Sequence, residues 1–180
     1  IRYVSAHELL DQISYDDPME NYCTPGRKGL NLTAEDEKII DWAMHATGVW
    51  PLREKSIHEC SGGESQRVWI ATVLTQQPEI LFLDEPTTYL DISHQMEMMR
   101  LIKRLNRENG IGVVMVLHDL SHALEVSDWI VVIKDGEKYD EGKPCDVITT
   151  KMMREVYDVE CDIVRLPGRE KPIIAYREIC

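Results

Sequence analysis

Three short groups of residues have the types and the order that phosphate chemistry requires. Ser61-Gly62-Gly63 places a hydroxyl and two glycines ahead of a helix-forming stretch, where free backbone N–H groups can bind an anion. An apolar run at 80–83 ends in Asp84 and Glu85, which offer one carboxylate for Mg²⁺ and another to polarise a water molecule. His118 follows a second apolar run. Together these groups predict attack of water on a bound phosphate.

Each group also has an ordinary structural interpretation. A serine followed by glycines begins helices in many proteins, acids often follow strands in contact with solvent, and a single histidine is more often structural than catalytic. The chain contains no Gly-x-x-x-x-Gly-Lys-Ser/Thr segment, the loop that usually holds the β- and γ-phosphates. For each group taken alone, both interpretations therefore stay open.

The elements that must position these groups alternate between strand and helix. Apolar runs at 80–83 and 113–117 are typical of buried strands. Between them, Met98, Leu101, Ile102 and Leu105 recur at helical spacing. A strand, a helix and a second strand in this order predict a parallel sheet whose carboxyl edge carries Asp84, Glu85 and His118.

The flanking segments are predicted in the same way. Ser61 begins a helix that runs towards Pro78, and Thr33 with Asp36 predicts a capped helix that ends at Gly48. Residues 16–29 are predicted to form a loop. Further along lie a hairpin with a type I′ turn at 135–136, a short helix at 151–157 and a final hairpin around 167–168.

Composition narrows the class of protein. The net charge of −12 argues against nucleic acid as a partner, because nucleic-acid-binding proteins displace counterions with Lys and Arg. The five cysteines are scattered without a Cys-x-x-Cys pair, which indicates neither a disulfide framework nor a zinc site. No apolar run approaches the roughly 20 residues that cross a bilayer.

Taken in order, the groups resemble the motifs of the ATP-binding-cassette (ABC) ATPases. Ser61-Gly62-Gly63-Glu64 is similar to their signature motif, residues 80–85 to their Walker B strand, Leu90-Asp91 to their D-loop and His118 to their switch histidine. Residues 84–95 are similar to the ATPase subunits of importers for ferric siderophores, haem and cobalamin. Glu64 departs from the usual glutamine of the signature motif.

The resemblance implies a role for each matching residue. Asp84 would hold Mg²⁺ through water, Glu85 would act as general base or orient the attacking water, and His118 would contact the γ-phosphate. In this family two cassettes pair head to tail, so the signature motif would bind ATP held by the partner, and Asp91 would lie at the dimer seam. The residues implied in binding ATP in trans are Ser61, Gly62, Gly63 and Glu64.

The resemblance also implies the fold and the extent of the chain. The expected class is α/β: the C-terminal part of a RecA-like P-loop NTPase core with a parallel sheet, together with the helical subdomain of ABC proteins. Residues 1–78 would be the helical subdomain ending in the signature helix, and residues 79–180 the C-terminal half of the ATPase core. Because the phosphate loop and the glutamine-bearing loop are missing, we expect Ile1 to lie inside a longer protein. The 180-residue chain alone should then be inactive and expose an apolar patch.

The implied function is the ATP-hydrolysing subunit of an importer for a ferric siderophore, haem or cobalamin. Its expected partners are a second ATPase subunit, the coupling helices of a membrane permease and, indirectly, an extracytoplasmic binding protein. It would lie at the cytoplasmic face of the membrane and bind no nucleic acid. Two alternatives stay open: an ABC ATPase that serves no transporter, and an interaction module that only supplies a signature surface in trans.

Overall fold

The computed structural model describes residues 33–169 and 171–179, which divide into two compact units. The first unit ends at Val116 and the second begins at Leu117. The predictions for Ile1 and for the loop at 16–29 lie outside the described residues. The predicted boundary at residue 78 separates two functional subdomains, whereas the compact units are defined by contacts within the chain. The boundary at residue 78 therefore stays a prediction.

Helices begin the described part of the first unit. Helix α1 spans Ala34–Thr47 and has the predicted capping box, in which Thr33 Oγ1 accepts the Asp36 N–H and the Asp36 carboxylate accepts the Thr33 N–H. It ends at Gly48, whose φ of 73° is in the left-handed region that favours glycine. Two 3₁₀ turns, Trp50–Leu52 and Ile57–Glu59, lead to helix α2, Gly62–Leu74. Helices α1 and α2 share a core of Met44, Val49, Val68 and Ala71.

The predicted parallel sheet is present. Strand β1, Ile80–Asp84, pairs in parallel with strand β2, Gly112–Val116, and the pair is connected by helix α3, Ile92–Asn109. Helix α3 buries the predicted stripe of Met98, Leu101, Ile102 and Leu105, and ends at Gly110 with φ 69°. The carboxyl end of β1 is thereby fixed beside that of β2, with Asp84 opposite Val116.

The prediction that both strands are buried is wrong for one face of the sheet. Leu81 is 3% exposed, whereas Phe82 is 64% exposed and its neighbours Val114 and Val116 are each 53% exposed. Successive side chains of a strand point to opposite faces, so helices that pack on one face leave the alternate residues uncovered. These side chains form the apolar patch that the sequence predicts.

The second unit combines hairpins and short helices. Its elements are α4 (Leu120–Val126), β3 (Ile130–Lys134), β4 (Glu137–Gly142), α5 (Pro144–Val147), α6 (Thr150–Tyr157), β5 (Val159–Val164) and β6 (Ile173–Ile179). The turn between β3 and β4 has positive φ at Asp135 and Gly136, as a type I′ turn requires. Strands β5 and β6 form the predicted final hairpin. A core around Leu124 and Met152 joins these elements.

Within residues 33–169 and 171–179, no helix is both long and apolar enough to span a membrane. Three cysteines in this part of the chain, Cys60, Cys145 and Cys161, are free thiols.

Candidate functional site

The first part of the site is the N-terminus of helix α2. Ser61 has extended backbone angles and its Oγ accepts the Glu64 N–H at 3.3 Å, while the Glu64 carboxylate accepts the Ser61 N–H at 2.7 Å. This reciprocal pair is a capping box, which is why the helix begins here. The Ser61 hydroxyl keeps its own hydrogen available for a ligand, because in this contact the oxygen is only an acceptor.

The acid in this motif is held by the chain itself. Lys55 Nζ lies 3.2 Å from the Glu64 carboxylate. The hydrogen bond from the Ser61 backbone and the one from Lys55 lower the pKa of Glu64. The charge of Glu64 is therefore partly balanced within the protein, so it repels an incoming anion less than a free carboxylate would.

The two glycines of the motif have different surroundings. Gly62 is exposed, and a Cβ added there would have only an ordinary contact, 3.9 Å from Leu90 Cδ2. Gly63 is buried, and a Cβ added there would lie 2.4 Å from His94 Cδ2. The backbone is thus open to a ligand at Gly62 and closed by a neighbouring helix at Gly63.

The second part of the site is the carboxyl end of β1. Asp84 is exposed at the last position of the strand, and the Glu85 N–H extends the ladder by donating to the Val116 carbonyl at 3.2 Å. Glu85 has φ 45°, an uncommon conformation for a residue with a side chain. Thr88 Oγ1 donates to the Glu85 carboxylate at 2.8 Å, which orients one of its oxygens.

The third part is the N-terminus of helix α3. Asp91 caps the helix, and its Oδ1 accepts three hydrogen bonds: from the His94 N–H at 2.9 Å, from Ser93 Oγ at 2.9 Å and from His94 Nδ1 at 2.8 Å. These bonds, the backbone one first, lower the pKa of Asp91 from 3.8 to about 2. Gln95 Nε2 donates to the Leu90 carbonyl at 3.1 Å and so fixes the turn before the cap.

The structure brings the N-termini of α2 and α3 together within the first unit, since a Cβ added at Gly62 would lie 3.9 Å from Leu90 Cδ2 and one added at Gly63 would lie 2.4 Å from His94 Cδ2. His118 belongs to the second unit, where it is exposed and directly precedes Asp119, the N-cap of α4. Its role as switch histidine stays a prediction, as do the roles of the other site residues.

Sequence reasoning missed three side chains that hold this site in shape. Lys55, Thr88 and His94 contact Glu64, Glu85 and Asp91, respectively. For Thr88 and His94 a local signal exists, since both lie three residues after the acid they contact, a spacing common to turns and helix caps. Lys55 lies nine residues before its partner, and no local pattern indicates that contact.

Comparisons with known proteins agree with this geometry. The family model for ABC transporters matches residues 1–88. The iron(3+)-hydroxamate import ATP-binding protein FhuC of Bacillus subtilis is 44% identical over 150 residues, which are 83% of this chain and 56% of that protein. The petrobactin import ATP-binding protein FpuC of Bacillus anthracis is 43% identical over 148 residues, 82% of this chain and 54% of that protein. The chain thus spans about half the length of these curated relatives.

A solved structure supports the same assignment. The ATP-binding cassette MJ0796, solved as a dimer in a post-hydrolysis state bound to ADP and Pi, is 31% identical with a TM-score of 0.55 over 70% of this chain and 56% of that one. The family match, the relatives and the α/β fold with its parallel strands agree with the order of motifs from Ser61 to Asp91. On these grounds the chain belongs to the ABC transporter family.

Proposed function

We propose that the whole protein to which this chain belongs is the ATP-hydrolysing subunit of an importer for a ferric siderophore. The observation that carries the proposal is the N-terminus of α2, where Gly62 is exposed and the Ser61 hydroxyl keeps its hydrogen for a ligand. The first N–H groups of a helix have no partner within the helix, and its dipole favours an anion at that end. A triphosphate fits this arrangement.

The carboxyl end of β1 supplies the second requirement, activation of water. Glu85 follows the strand at a fixed position, because its N–H is bound to β2 and one carboxylate oxygen accepts a hydrogen bond from Thr88. A carboxylate held in this way can accept a proton from water or orient the water for attack on the γ-phosphate. Thr88 acts on Glu85 by orientation, so we assign it a positioning role.

The residues present fit a magnesium ion bound largely through water. In the part of the chain that the structure describes, no three His, Cys, Asp or Glu side chains cluster as a metal cage. Mg²⁺ needs no such cage, since it usually binds one or two carboxylates, the phosphates and several waters. Asp84 is an exposed carboxylate at the end of β1 and would hold the ion through water. When bound, Mg²⁺ supplies positive charge that neutralises the phosphates.

The proposed partner at the signature motif is a second ATPase subunit. Tyr89, Ile92 and Met96 lie within five residues of Asp91 in the sequence and are 102%, 76% and 48% exposed. Such an apolar surface beside a charged residue is typical of an interface. The relative MJ0796 was solved as a dimer, which supports pairing with a second subunit. The pairing we propose is head to tail, so that the signature motif of one subunit meets ATP on the other.

The names of the relatives support the cargo. FhuC and FpuC are named for import of iron(3+)-hydroxamate and of petrobactin, respectively. We therefore propose ferric siderophores as the class of cargo, recognised by a permease and a binding protein outside this subunit. The subunit itself would associate with the cytoplasmic side of the membrane through the permease.

The test is ATP hydrolysis by the whole protein assembled with its permease. Glu85→Gln keeps the size of the side chain and removes its basicity, so the hydrolysis rate should fall by roughly 10²- to 10⁴-fold. The matched control is Glu79→Gln, which changes an exposed acid just before the start of β1. This control should keep the wild-type rate, and a normal rate for Glu85→Gln would refute the proposed role of Glu85.

Uptake of ⁵⁵Fe-labelled hydroxamate and catecholate siderophores by cells that carry the transporter tests the cargo. Uptake should require Glu85. If the transporter hydrolyses ATP but the cells take up labelled cobalamin or haem instead of siderophores, the proposed cargo class is wrong. The ATPase assignment then still stands.

A further inference from the structure

The imidazole of His94 lies between two motifs of the site. A Cβ on Gly63 would be 2.4, 3.0 and 3.3 Å from His94 Cδ2, Cγ and Cβ, so the backbone of α2 is packed directly against this ring. On its other side, His94 Nδ1 is 2.8 Å from the Asp91 carboxylate. The His94 side chain thus lies between the signature motif and the D-loop.

The ring is held in a defined orientation. Asp91 Oδ1 accepts bonds from both the backbone N–H and the Nδ1 of His94, which fixes the side chain to the first turn of α3. Because the acceptor is a carboxylate, Nδ1 carries the hydrogen. The imidazole therefore cannot move away from Gly63 without breaking a charge-assisted hydrogen bond.

We propose that His94 is a positioning residue for the ATPase reaction, which sets the distance between the signature motif and Asp91 of the same subunit. The inference rests on the proposed function. It assigns different roles to the two glycines. Gly62 lets a ligand approach the backbone, and Gly63 lets the imidazole of His94 pack against the backbone. Anion binding alone would not require a glycine at position 63, because a Cβ there would point at the imidazole and not at solvent.

A second contact between the same helices provides a matched control. Arg67 Nη1 lies 2.8 Å from Glu97 Oε2, one turn further along both helices and away from the helix N-termini. Glu97→Gln weakens the packing of α2 on α3 without touching the signature motif. A purely structural role of His94 predicts that His94→Ala and Glu97→Gln have the same consequences for the reaction.

The first experiment is a double-mutant cycle on urea unfolding of the whole protein. Gly63→Ala should lower the ratio of folded to unfolded protein by about tenfold or more when His94 is present, because something must shift to relieve the clash. In the His94→Ala background only the Cβ contact at 3.3 Å remains, and alanine is the better helix former, so the same change should have little effect. Equal effects in both backgrounds would overturn the proposal.

The second experiment measures the reaction in the assembled transporter. His94→Ala should lower kcat by about tenfold while the affinity of the dissociated subunit for ATP is unchanged, since ATP is bound there without a partner's signature motif. Glu97→Gln should leave kcat unchanged. A kcat for His94→Ala equal to that of the wild type would overturn the positioning role. An inactive wild type would refute the proposed function instead, and the unfolding cycle would still decide whether His94 and Gly63 act as a unit.

Discussion

Helices α2 and α3 begin in opposite ways, although both have a polar N-cap. At α2 the cap is the neutral Ser61, followed by the exposed Gly62. At α3 the cap is Asp91, whose carboxylate oxygen accepts three hydrogen bonds. A helix N-terminus attracts negative charge in either case.

The difference shows how one chain can use the same physical property for two purposes. Helix α3 carries its own anion, so its N-terminus is electrostatically satisfied and its turn is rigid. Helix α2 has a neutral cap and is open at Gly62, and the one acid of its capping box, Glu64, is partly balanced by Lys55, so part of the favourable potential is left for a ligand. If an anion placed at the cap of α2 did not compete with ATP, the proposed difference between the two helix N-termini would be wrong.

The largest effect is expected when the two caps are made alike. Ser61→Asp retains a good N-cap but places a carboxylate where the proposed phosphate binds. It also removes the hydroxyl donor. We expect ATP hydrolysis by the assembled whole protein to fall by about 10²- to 10³-fold, comparable to the loss of a single donor to a developing charge.

Thr33→Asp is the matched control for this change. Thr33 caps α1 through a capping box with Asp36, so this substitution also places a second acid beside the acid of a capping box. Both variants should lower the midpoint of urea unfolding to a similar extent. Loss of hydrolysis in both would show that crowding of acids, and not competition with phosphate, is the cause.

A smaller effect is expected when the charge at α3 is removed. Asp91→Asn keeps the size of the cap and removes the carboxylate, whose pKa is lowered from 3.8 to about 2. Because the folded pKa lies below the ordinary one, ionised Asp91 stabilises the protein above about pH 4, and this contribution is lost as the pH falls towards 2. Wild type should be more stable than the variant at pH 7, and the difference should narrow from about pH 4 downwards. A constant difference in urea midpoints would contradict the prediction.

The smallest effect is expected at Glu64, the acid of the α2 capping box. Lys55→Met removes the partner of Glu64, so the pKa of Glu64 should rise. It should stay below the ordinary value, because the bond from the Ser61 backbone is the larger cause and remains. Titration of the carboxyl carbon by NMR measures this change. A pKa equal to the ordinary value in the variant would show that Lys55 dominates.

The order of elements could be predicted from the sequence because their signals are local. The capping box at Thr33, the helical stripe ending at Gly110 and the turn at Asp135-Gly136 each depend on residues within a few positions, and the structure confirms all three. Hydrophobic periodicity likewise indicated both parallel strands. Periodicity could not show that the sheet face with Phe82 and Val114 is exposed. An apolar run has the same pattern whether one face of the sheet or both faces are covered.

The candidate site was predicted unevenly for the same reason. Four of the site residues can be recognised from the sequence because each lies in a short run of residues that resembles a family motif: Ser61, Asp84, Glu85 and Asp91. The contact of His94 with Gly63 joins residues 31 positions apart through the packing of two helices, and no periodicity encodes it. The bond of His94 to Asp91 is local in the sequence, but its packing against Gly63 is not.

Glu85 has a consequence for how this protein can evolve. Its left-handed backbone costs a residue with a side chain about 1–2 kcal/mol, a cost that glycine avoids. Selection for stability alone would therefore favour glycine at this position, whereas the proposed role in hydrolysis requires the acid. A trade-off between stability and activity at this position therefore predicts that a library selected only for folding should lose Glu85 early.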